Sequence, residues 1–233
     1  MNDSQTNLRA GLPASLAVAM IAIAAGPATG ALISITNADF EATTVAADSN
    51  TPAVDGWTRE GNALTVNPAP SYQWAPAGVS QAFYFTGAAG VMGISQDLPH
   101  NWAAGQTMTL RFDAWEPGFR TGPTQIDGIR AEIRQVDGTV LWASPLVSLD
   151  GTVTGSENAW NWVGTSHQHE FTILTDDFTA GTEGSPIQLR FLRESGEGVM
   201  YGDNVSLDVV PEPSVALLGL GALSFLAARR RRS

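Results

Sequence analysis

The feature that most constrains the fold of this chain is a series of short stretches in which apolar and polar residues alternate. In MTLRFDAW, Met108, Leu110 and Phe112 fall on one side of an extended chain, and Arg111 and Asp113 fall on the other. The same period of two recurs in GIRAEIRQV, PIQLRFL and NVSLDVV, at 128–136, 186–192 and 204–210. Because successive residues of a β-strand point to opposite faces, each stretch is typical of a strand with one buried face.

Turn-forming residues separate these stretches. Asp137-Gly138 and Asp150-Gly151 are examples, and no stretch within residues 31–210 keeps a helical period. Many short strands with turns between them predict an all-β domain in which two sheets pack as a jelly-roll β-sandwich. We place this domain at 31–210.

The first 30 residues have the three parts of a secretory signal peptide. A polar start with one positive charge, Arg9, precedes an apolar stretch at 12–25, and the small residues Ala28 and Gly30 follow it. This order predicts a signal-peptide helix at 1–30 that signal peptidase removes near Ala31. A buried N-terminal helix of the fold is the alternative.

The domain at 31–210 is strongly acidic. All 12 basic residues of the chain are arginines, and seven of them lie in this segment with 21 of the 23 acidic residues, for a formal charge of −14. Such a surface repels phosphate backbones, which argues against nucleic acid as a partner, and it favours divalent cations. The chain has no cysteine, so disulfides and thiol catalysis are excluded.

The last segment, 211–233, has three parts. Pro211-Glu212-Pro213 comes first, and an uncharged stretch of 14 residues at 215–228 follows. The third part is a basic cluster of Arg229, Arg230, Arg231 and Arg232. As a helix the uncharged stretch spans about 21 Å, short of a hydrocarbon core of about 30 Å. Since arginines favour the cytoplasmic side, we expect a short transmembrane helix that briefly anchors the domain on the outer side.

This three-part order resembles the PEP-CTERM sorting signal of Gram-negative bacteria. The resemblance covers the last 23 residues and implies that exosortase, a membrane protease-like enzyme, recognises the Pro-Glu-Pro tripeptide and processes the tail. It also implies a protein exported across the inner membrane to the cell surface or extracellular matrix, in association with extracellular polysaccharide and biofilm. A plain C-terminal membrane anchor is the alternative.

A second resemblance covers most of the segment 31–210. The stretches ISITNADFEA, DGWTREG, GISQDL, AGQTMTLRFDAW and YGDNVSLDVV resemble, in this order, a carbohydrate-binding-module-like or galactose-binding-like jelly roll. Because folds of this kind carry many functions, the resemblance implies a fold and leaves the ligand open.

The same resemblance implies a structural calcium site. In calcium-binding members of the fold, acidic groups on the first and last strands hold the ion together. The matching positions are Glu41 and Asp203, and Asp39 is a weaker candidate. Carboxylates and carbonyl oxygens are the ligands that calcium prefers. The alternative is that Glu41 and Asp203 cap turns or pair with arginine.

The polar side of the alternating stretches is a candidate sugar site. Sugar binding needs an aromatic ring for stacking and forked polar groups for hydroxyls, which Trp115 offers together with Arg111, Arg130 and Arg190. Other polar residues of this kind are Asp113, Glu132 and Arg134. The alternative is a solvated sheet face with cross-strand charge pairs.

Further tryptophans lie in segments rich in Gly, Asn and Pro. They are Trp57, Trp74, Trp102, Trp160 and Trp162. In NAWNW, Trp160 and Trp162 fall on one side of an extended segment, where they could grip a glycan. Alternatively, some of these rings close the ends of the sandwich.

One histidine pair has the spacing of metal ligands in a strand. His167 and His169 point the same way there, but only Glu170 or the distant His100 is available as a third ligand. A surface pair is the preferred interpretation.

Local enzyme motifs are missing. The sequence contains no GxSxG, HExxH or P-loop, and the spacing of Asp113 and Glu116 does not establish a glycosidase pair. We therefore expect a protein that is not an enzyme and that binds or embeds in extracellular polysaccharide. The alternative is a purely structural surface or biofilm-matrix protein without a specific ligand.

Overall fold

The structure is a computed structural model. It describes residues 30–46, 49–67, 81–85, 91–115, 128–148, 153–156, 159–162, 168–178, 180–193 and 200–211. The predicted signal-peptide helix at 1–30 and the transmembrane helix at 215–228 lie outside these residues, apart from Gly30. Within the residues described, no helix is both long and apolar enough to span a membrane.

Apart from one 3₁₀ turn, the regular elements of the described chain are all strands. The first eight are β1 Ala31–Leu32, β2 Ser49–Thr51, β3 Thr58–Glu60, β4 Ala63–Asn67, β5 Ala82–Phe85, β6 Met92–Asn101, β7 Gln106–Trp115 and β8 Gly128–Gln135. The others are β9 Val140–Ala143, β10 Val147–Ser148, β11 Val153–Ser156, β12 Ala159–Trp162, β13 Gln168–Leu174, β14 Pro186–Arg193 and β15 Met200–Pro211. A 3₁₀ turn, Thr175–Asp177, follows β13.

These strands form two large antiparallel sheets. The seven-stranded sheet has the order β13-β7-β15-β5-β4-β2, and β1 also pairs with β15. The six-stranded sheet has the order β10-β8-β14-β6-β3, and β9 pairs with β8. The prediction of an all-β, two-sheet jelly-roll sandwich is therefore confirmed. A separate two-stranded ribbon, β11–β12, accompanies the two sheets.

The core lies between the two sheets and follows the alternation seen in the sequence. Leu110 and Phe112 of β7 are buried against residues of the other sheet such as Ile133 and Phe191. The ring of Phe191 lies 4.9 Å from that of Phe112 and 5.4 Å from that of Phe83. Full burial of each such side chain contributes roughly 1.5–3 kcal/mol, which makes this the main source of stability.

The last strand, β15, contacts the loop that follows β1. Its pairing with β7 shifts register between Asp203 and Ser206, so the strand bulges there. Asn204 in the bulge has a φ of 51°, a left-handed conformation that asparagine adopts more readily than most residues. Beyond it, the N–H of Val205 donates to the carbonyl of Ala38 at 2.9 Å. The bulge thus sits beside the loop that follows β1.

Candidate functional site

The outer face of the seven-stranded sheet, on the side away from the core, carries a set of polar and aromatic residues. Along β7, Arg111, Asp113 and Trp115 alternate with the core residues Leu110, Phe112 and Ala114. On β15, Tyr201 lies opposite Trp115, and Asp203 lies opposite Asp113. Because paired residues in antiparallel strands share a face, these side chains lie together. We call this face the β7–β15 outer face.

Its aromatic part is buried. The Trp115 ring is 0% exposed and stacks on Tyr201, with ring centroids 5.5 Å apart and planes 13° apart. Tyr201 in turn lies 5.1 Å from Tyr84 of β5. Burial, and then the charge of Tyr84, raise the pKa of the Tyr201 phenol, so it stays neutral. Trp115 therefore has no exposed ring face for the sugar stacking that we predicted.

Arg111, next along the face, is already engaged. Its Nε donates to Glu170 Oε2 at 2.7 Å, and its Nη1 donates to Asp208 Oδ2 at 2.6 Å. These hydrogen bonds, chiefly the one that Arg111 donates to Glu170, raise the pKa of the guanidinium. The arrangement matches the alternative of cross-strand charge pairs, and it ties β13, β7 and β15 together at the surface.

The other predicted sugar-binding arginines lie on the opposite side of the sandwich. Arg130, Glu132 and Arg134 belong to β8 and Arg190 to β14, and all face away from the core on the six-stranded sheet. Alternation along a strand indicates which residues share its faces, but it does not indicate which sheet the strand joins. The polar face that we predicted as one is therefore two faces on opposite sides.

Charge pairs dominate this second face. Arg190 Nε donates to Glu60 Oε1 at 3.0 Å, and its Nη1 donates to Glu132 Oε2 at 3.1 Å. Arg134 Nη2 also reaches Glu60 Oε1, at 3.3 Å. Two arginines and two glutamates from β3, β8 and β14 thus satisfy each other, which favours a structural role for this face.

The acidic part of the β7–β15 outer face differs from both charge networks. Asp203 is only 3% exposed, and its Oδ1 has no hydrogen-bond partner within the described residues. Asp113, opposite it, is 5% exposed, and its Oδ2 accepts the Asn204 Nδ2 amide at 2.8 Å. Burial raises the pKa of Asp203 to about 8, and the charges of Asp113, Glu41 and Asp39 add to the rise. The Asn204 backbone N–H opposes it.

Glu41, the predicted calcium partner of Asp203, makes other contacts. Its Oε1 accepts the backbone N–H of Gln81 at 2.8 Å, and its Oε2 accepts the Gln81 side-chain amide at 3.2 Å. Gln81 Oε1 accepts the N–H of Val45 at 3.0 Å. Glu41 therefore joins the loop after β1 to the start of β5.

The donor set fits calcium only in part. The buried, unpartnered Oδ1 of Asp203 is the kind of oxygen that a cation neutralises, and hard oxygen ligands are those calcium takes. Within the parts of the chain that the structure describes, however, no three His, Asp or Glu side chains are grouped closely enough to hold a metal ion. Backbone or amide oxygens would have to complete any site there.

A cleft of about 480 Å³ opens next to the bulge, and the sequence alone did not indicate it. Its lining residues are Ile35, Asn37, Ala38, Asp39, Asn204 and Val205. Asn37 and Asn204 both have a φ of 51°. Asn37 also holds the loop, since its Oδ1 accepts the Ala42 N–H at 2.9 Å. In the sequence, the asparagines near turn-forming residues were the features that could have indicated this cleft, because asparagine tolerates a left-handed backbone.

The remaining tryptophans divide into two groups. Trp57 and Trp102 are each 7% exposed and belong to the hydrophobic core. Trp160 and Trp162 occupy alternate positions of β12, paired with Gly155 and Val153 of β11. Trp74 lies outside the described residues.

Of the two histidines that we interpreted as a surface pair, the described residues include only His169. The His169 ring lies 5.4 Å from the Phe112 ring, on the core side of β13. Glu170 pairs with Arg111, and His100 contacts Gln106 Oε1 at 3.4 Å. His167 and the glycosidase candidate Glu116 lie outside the described residues.

The fold and this outer face define a jelly-roll β-sandwich with an acidic, aromatic-lined sheet face. No protein-family model matches the chain, and no curated protein matches its sequence. Among solved structures, it is similar to a Stig cyclase, Fisc, from Fischerella sp. TAU in complex with (3Z)-3-(1-methyl-2-pyrrolidinylidene)-3H-indole. That match has a TM-score of 0.58 and 20% identity, and it covers 79% of this chain and 100% of the cyclase chain.

Two further solved structures are similar. One is a cyclase from Fischerella sp. TAU in complex with 4-(1H-indol-3-yl)butan-2-one, with a TM-score of 0.55, 20% identity and coverage of 79% of this chain and 100% of that one. The other is the carbohydrate-binding module TmCBM61 in complex with β-1,4-galactotriose. Its TM-score is 0.42 at 12% identity, with coverage of 75% of this chain and 97% of that one. At these identities the cyclase likeness shows a shared fold.

The expectation that the chain is not an enzyme is corrected by these comparisons. The solved structures with the higher TM-scores are cyclases, so the fold is one on which enzymes are built. The expectation rested on missing local motifs. Active sites on sheet faces are assembled from residues far apart in sequence, and such sites leave no local motif.

Proposed function

We propose that this chain is an exported protein of the cell surface or extracellular matrix, sorted by exosortase through its PEP-CTERM-like tail, whose β-sandwich binds or embeds in extracellular polysaccharide. Signal peptidase would remove 1–30, and the apolar stretch at 215–228 would anchor the precursor in the membrane until the tail is processed. The three-part order of residues 211–233 supports the sorting step. The observation that carries the binding step is the placement of two tryptophans on the β11–β12 ribbon.

Trp160 and Trp162 occupy alternate positions of β12, and within the described residues this ribbon pairs with neither large sheet. Alternate residues of a strand share a face. Two tryptophans at alternate positions of one strand supply the aromatic residues that binding a chain of sugar rings requires. Trp115 cannot supply it, because its ring is buried under Tyr201.

The charge of the domain indicates which polysaccharides suit it. Residues 31–210 carry a formal charge of −14, which repels acidic polysaccharides at low ionic strength. Neutral polysaccharides, or acidic ones bridged by divalent cations, are therefore the expected partners. The arginines Arg134 and Arg190 do not alter this, because glutamates already neutralise them.

Affinity electrophoresis tests the binding step. The secreted protein is run in native gels containing neutral polysaccharides, beside Trp160→Ala/Trp162→Ala and the control Leu174→Ala, which removes an exposed apolar side chain of β13. We expect retardation of the wild type and the control, and its loss in the double variant. A folded wild type that no polysaccharide retards would instead favour a structural matrix protein without a specific ligand.

The structural calcium ion implied by the jelly-roll resemblance is part of this proposal. Glu41 and Asp203 are the positions that the resemblance assigns to it, with Asp39 as a further contributor. Asp203 gives it the strongest support, since its buried Oδ1 lacks a partner within the described residues.

A further inference from the structure

The two ends of the β-sandwich domain lie side by side. β1 pairs antiparallel with the end of β15, where Ala31 lies opposite Val209. One position further out, Gly30 packs on Val210, since a Cβ at Gly30 would lie 3.1 Å from Val210 Cγ2. The predicted start of the processed protein, Ala31, is therefore next to the strand that leads directly into the sorting tripeptide.

The sorting tripeptide begins inside the folded sheet. Pro211, the first residue of the tripeptide, is also the last residue of β15, and it lies opposite Gln106 of β7. Two residues earlier, Val209 is 3% exposed and belongs to the core. No spacer therefore separates the tripeptide from the sheet.

This pairing competes with recognition of the tripeptide by a processing enzyme. A protein that binds a peptide in extended form uses the backbone hydrogen-bonding groups of that peptide. On the domain side of Pro211, these groups belong to a strand that has β7 on one side and β1 on the other. The enzyme and the sheet therefore compete for the same residues.

The end of β15 is held more weakly than its middle. β1 has only two residues, and both are exposed. A proline has no N–H to donate to β7, and the N–H of its partner Gln106 donates to Thr175 Oγ1 at 2.8 Å. Further in, the N–H of Ile33 donates to the carbonyl of the buried Leu207 at 2.8 Å. Since exposed strand ends with few hydrogen bonds open before the core does, local opening should be confined to β1 and the last residues of β15.

We propose that this pairing controls processing of the tail, so that exosortase takes the tripeptide only from molecules in which the end of β15 has separated from its neighbours β1 and β7. The rate of processing then follows the fraction of open molecules, because cleavage tracks the open population when opening and closing are faster than cleavage. The closed pairing keeps the precursor anchored for longer than a free tail would. The inference rests on the sorting part of the proposed function and is independent of polysaccharide binding.

A disulfide between β1 and β15 tests the proposal, and it would be the only one because the chain has no cysteine. Leu32 and Asp208 are direct partners, and they come next to the hydrogen bond from Ile33 to Leu207. Hydrogen-bonded and non-hydrogen-bonded pairs alternate along antiparallel strands, and side chains are closer in the second kind. Leu32→Cys/Asp208→Cys should therefore form a disulfide that prevents β1 from leaving β15.

Three further variants serve as controls. Thr109→Cys/Thr172→Cys joins direct partners of β7 and β13 and leaves β1 free. Asp208→Cys alone controls for loss of the contact between Asp208 and Arg111. The third variant inserts Gly-Ser-Gly-Ser between Val210 and Pro211, and it is made with and without the β1–β15 disulfide. This insertion frees the tripeptide from the sheet in either case.

Pulse-chase labelling in a strain with active exosortase measures the half-time for loss of the tail. We expect the β1–β15 disulfide to lengthen this half-time by about tenfold or more, and the β7–β13 disulfide and Asp208→Cys to leave it within about twofold of the wild type. The insertion should shorten the half-time and make it insensitive to the β1–β15 disulfide. Reduction with dithiothreitol in isolated membranes should restore processing of the disulfide-bonded chain.

Two results would overturn the inference while the sorting proposal stands. One is a chain with the β1–β15 disulfide that is processed at the wild-type rate. The other is an insertion variant that this disulfide slows as much as it slows the chain without the insertion. A wild type that never loses its tail would instead refute the sorting proposal, and this inference with it.

Hydrogen exchange of the full-length precursor in detergent reports on the opening without the enzyme. The exchange rate of a protected amide follows the free energy of the opening that exposes it. In the wild type, we expect the amides of 208–210 to exchange about tenfold faster or more than those of 109–112 in the middle of β7, and the β1–β15 disulfide to slow only the first group. Equal protection of the two groups in the wild type would show that the end of β15 does not open locally, which would contradict the proposal.

Discussion

Asp203 of β15 lies directly opposite Asp113 of β7, and both side chains are buried on the outer face of the seven-stranded sheet. Asp113 lies in the first of the alternating stretches and Asp203 directly precedes the last one, so the pair forms only when β15 inserts beside β7. It lies next to the cleft formed by Asn37, Asp39 and Asn204. Because burial raises the pKa of Asp203, we expect the stability of the domain to depend on pH.

The pKa of Asp203, raised to about 8, predicts a stability loss at high pH in chelator. The unfolded carboxyl titrates near 3.8, so between about pH 4 and pH 8 the folded state binds the proton and the unfolded state does not. The free energy of unfolding should therefore fall as the pH rises through this window, by up to about 1.4 kcal/mol per pH unit. Urea unfolding at several pH values measures it.

Two controls accompany this pH series. Asp203→Asn should flatten the dependence, and calcium should remove the loss in the wild type because the ion favours the ionised carboxylate. A wild-type stability that rises from pH 5 to pH 8 in chelator would show that Asp203 is ionised throughout.

The Phe83 ring packs closely against Gly202, so any side chain at this position should destabilise the domain. A Cβ at this position would lie 2.1 Å from the Phe83 ring. Gly202→Ala should therefore destabilise the domain by about 1–3 kcal/mol, since the ring must leave its packed position. Urea unfolding of Gly202→Ala, Phe83→Leu and the double variant gives the coupling. If the two losses simply add, the clash is not the cause.

The charge pairs on the two sheets predict a loss of stability for one arginine substitution and no change for another. The Arg190 side chain is 14% exposed and pairs with Glu60 and Glu132, so Arg190→Met should cost on the order of 1–3 kcal/mol because Glu132 loses its arginine and Glu60 keeps only the longer contact with Arg134. Arg111→Met, on a side chain that is 46% exposed, should leave the urea midpoint unchanged. Equal losses in the two variants would contradict this account of the six-stranded sheet.

Processing at both ends predicts the mass of the exported protein. The form recovered from the medium or cell surface should lack the apolar segments at 12–25 and 215–228, as intact-mass spectrometry would show. Substituting Glu212 by Ala within the Pro-Glu-Pro tripeptide should leave the tail uncut and the protein in the membrane fraction. Recovery of only the full-length chain from a strain with active exosortase would defeat the sorting proposal.

Much of the fold was predictable from the sequence, for a physical reason. The inward positions of β7, β8, β14 and β15 follow from strict alternation, because a strand with one buried face has no other way to place its apolar residues. In the stretch NVSLDVV, the alternate apolar residues Val205, Leu207 and Val209 are all in the core. In this strand, the alternation of the sequence therefore predicted which side chains are buried.

The candidate site was less predictable, because it depends on which strands become neighbours. Arg130 and Arg190 lie on the opposite side of the sandwich from Trp115, and no local pattern distinguishes the two sheets. Trp115 is buried because Tyr201 packs on it. The pairing of Asp113 with Asp203 also arises from a contact between distant strands, so the alternation assigned Asp113 to a polar face without showing its partner.

Binding to the organism's own matrix tests the central claim most directly. Extracellular polysaccharide purified from the producing strain is mixed with the secreted wild type, with Trp160→Ala/Trp162→Ala and with Leu174→Ala, and protein that co-sediments with it is quantified. We predict that the wild type and Leu174→Ala co-sediment at neutral pH in calcium, and that the double variant loses at least nine-tenths of that binding while keeping its Tm. A folded wild type that stays in the supernatant, or a double variant that co-sediments equally, would contradict the account.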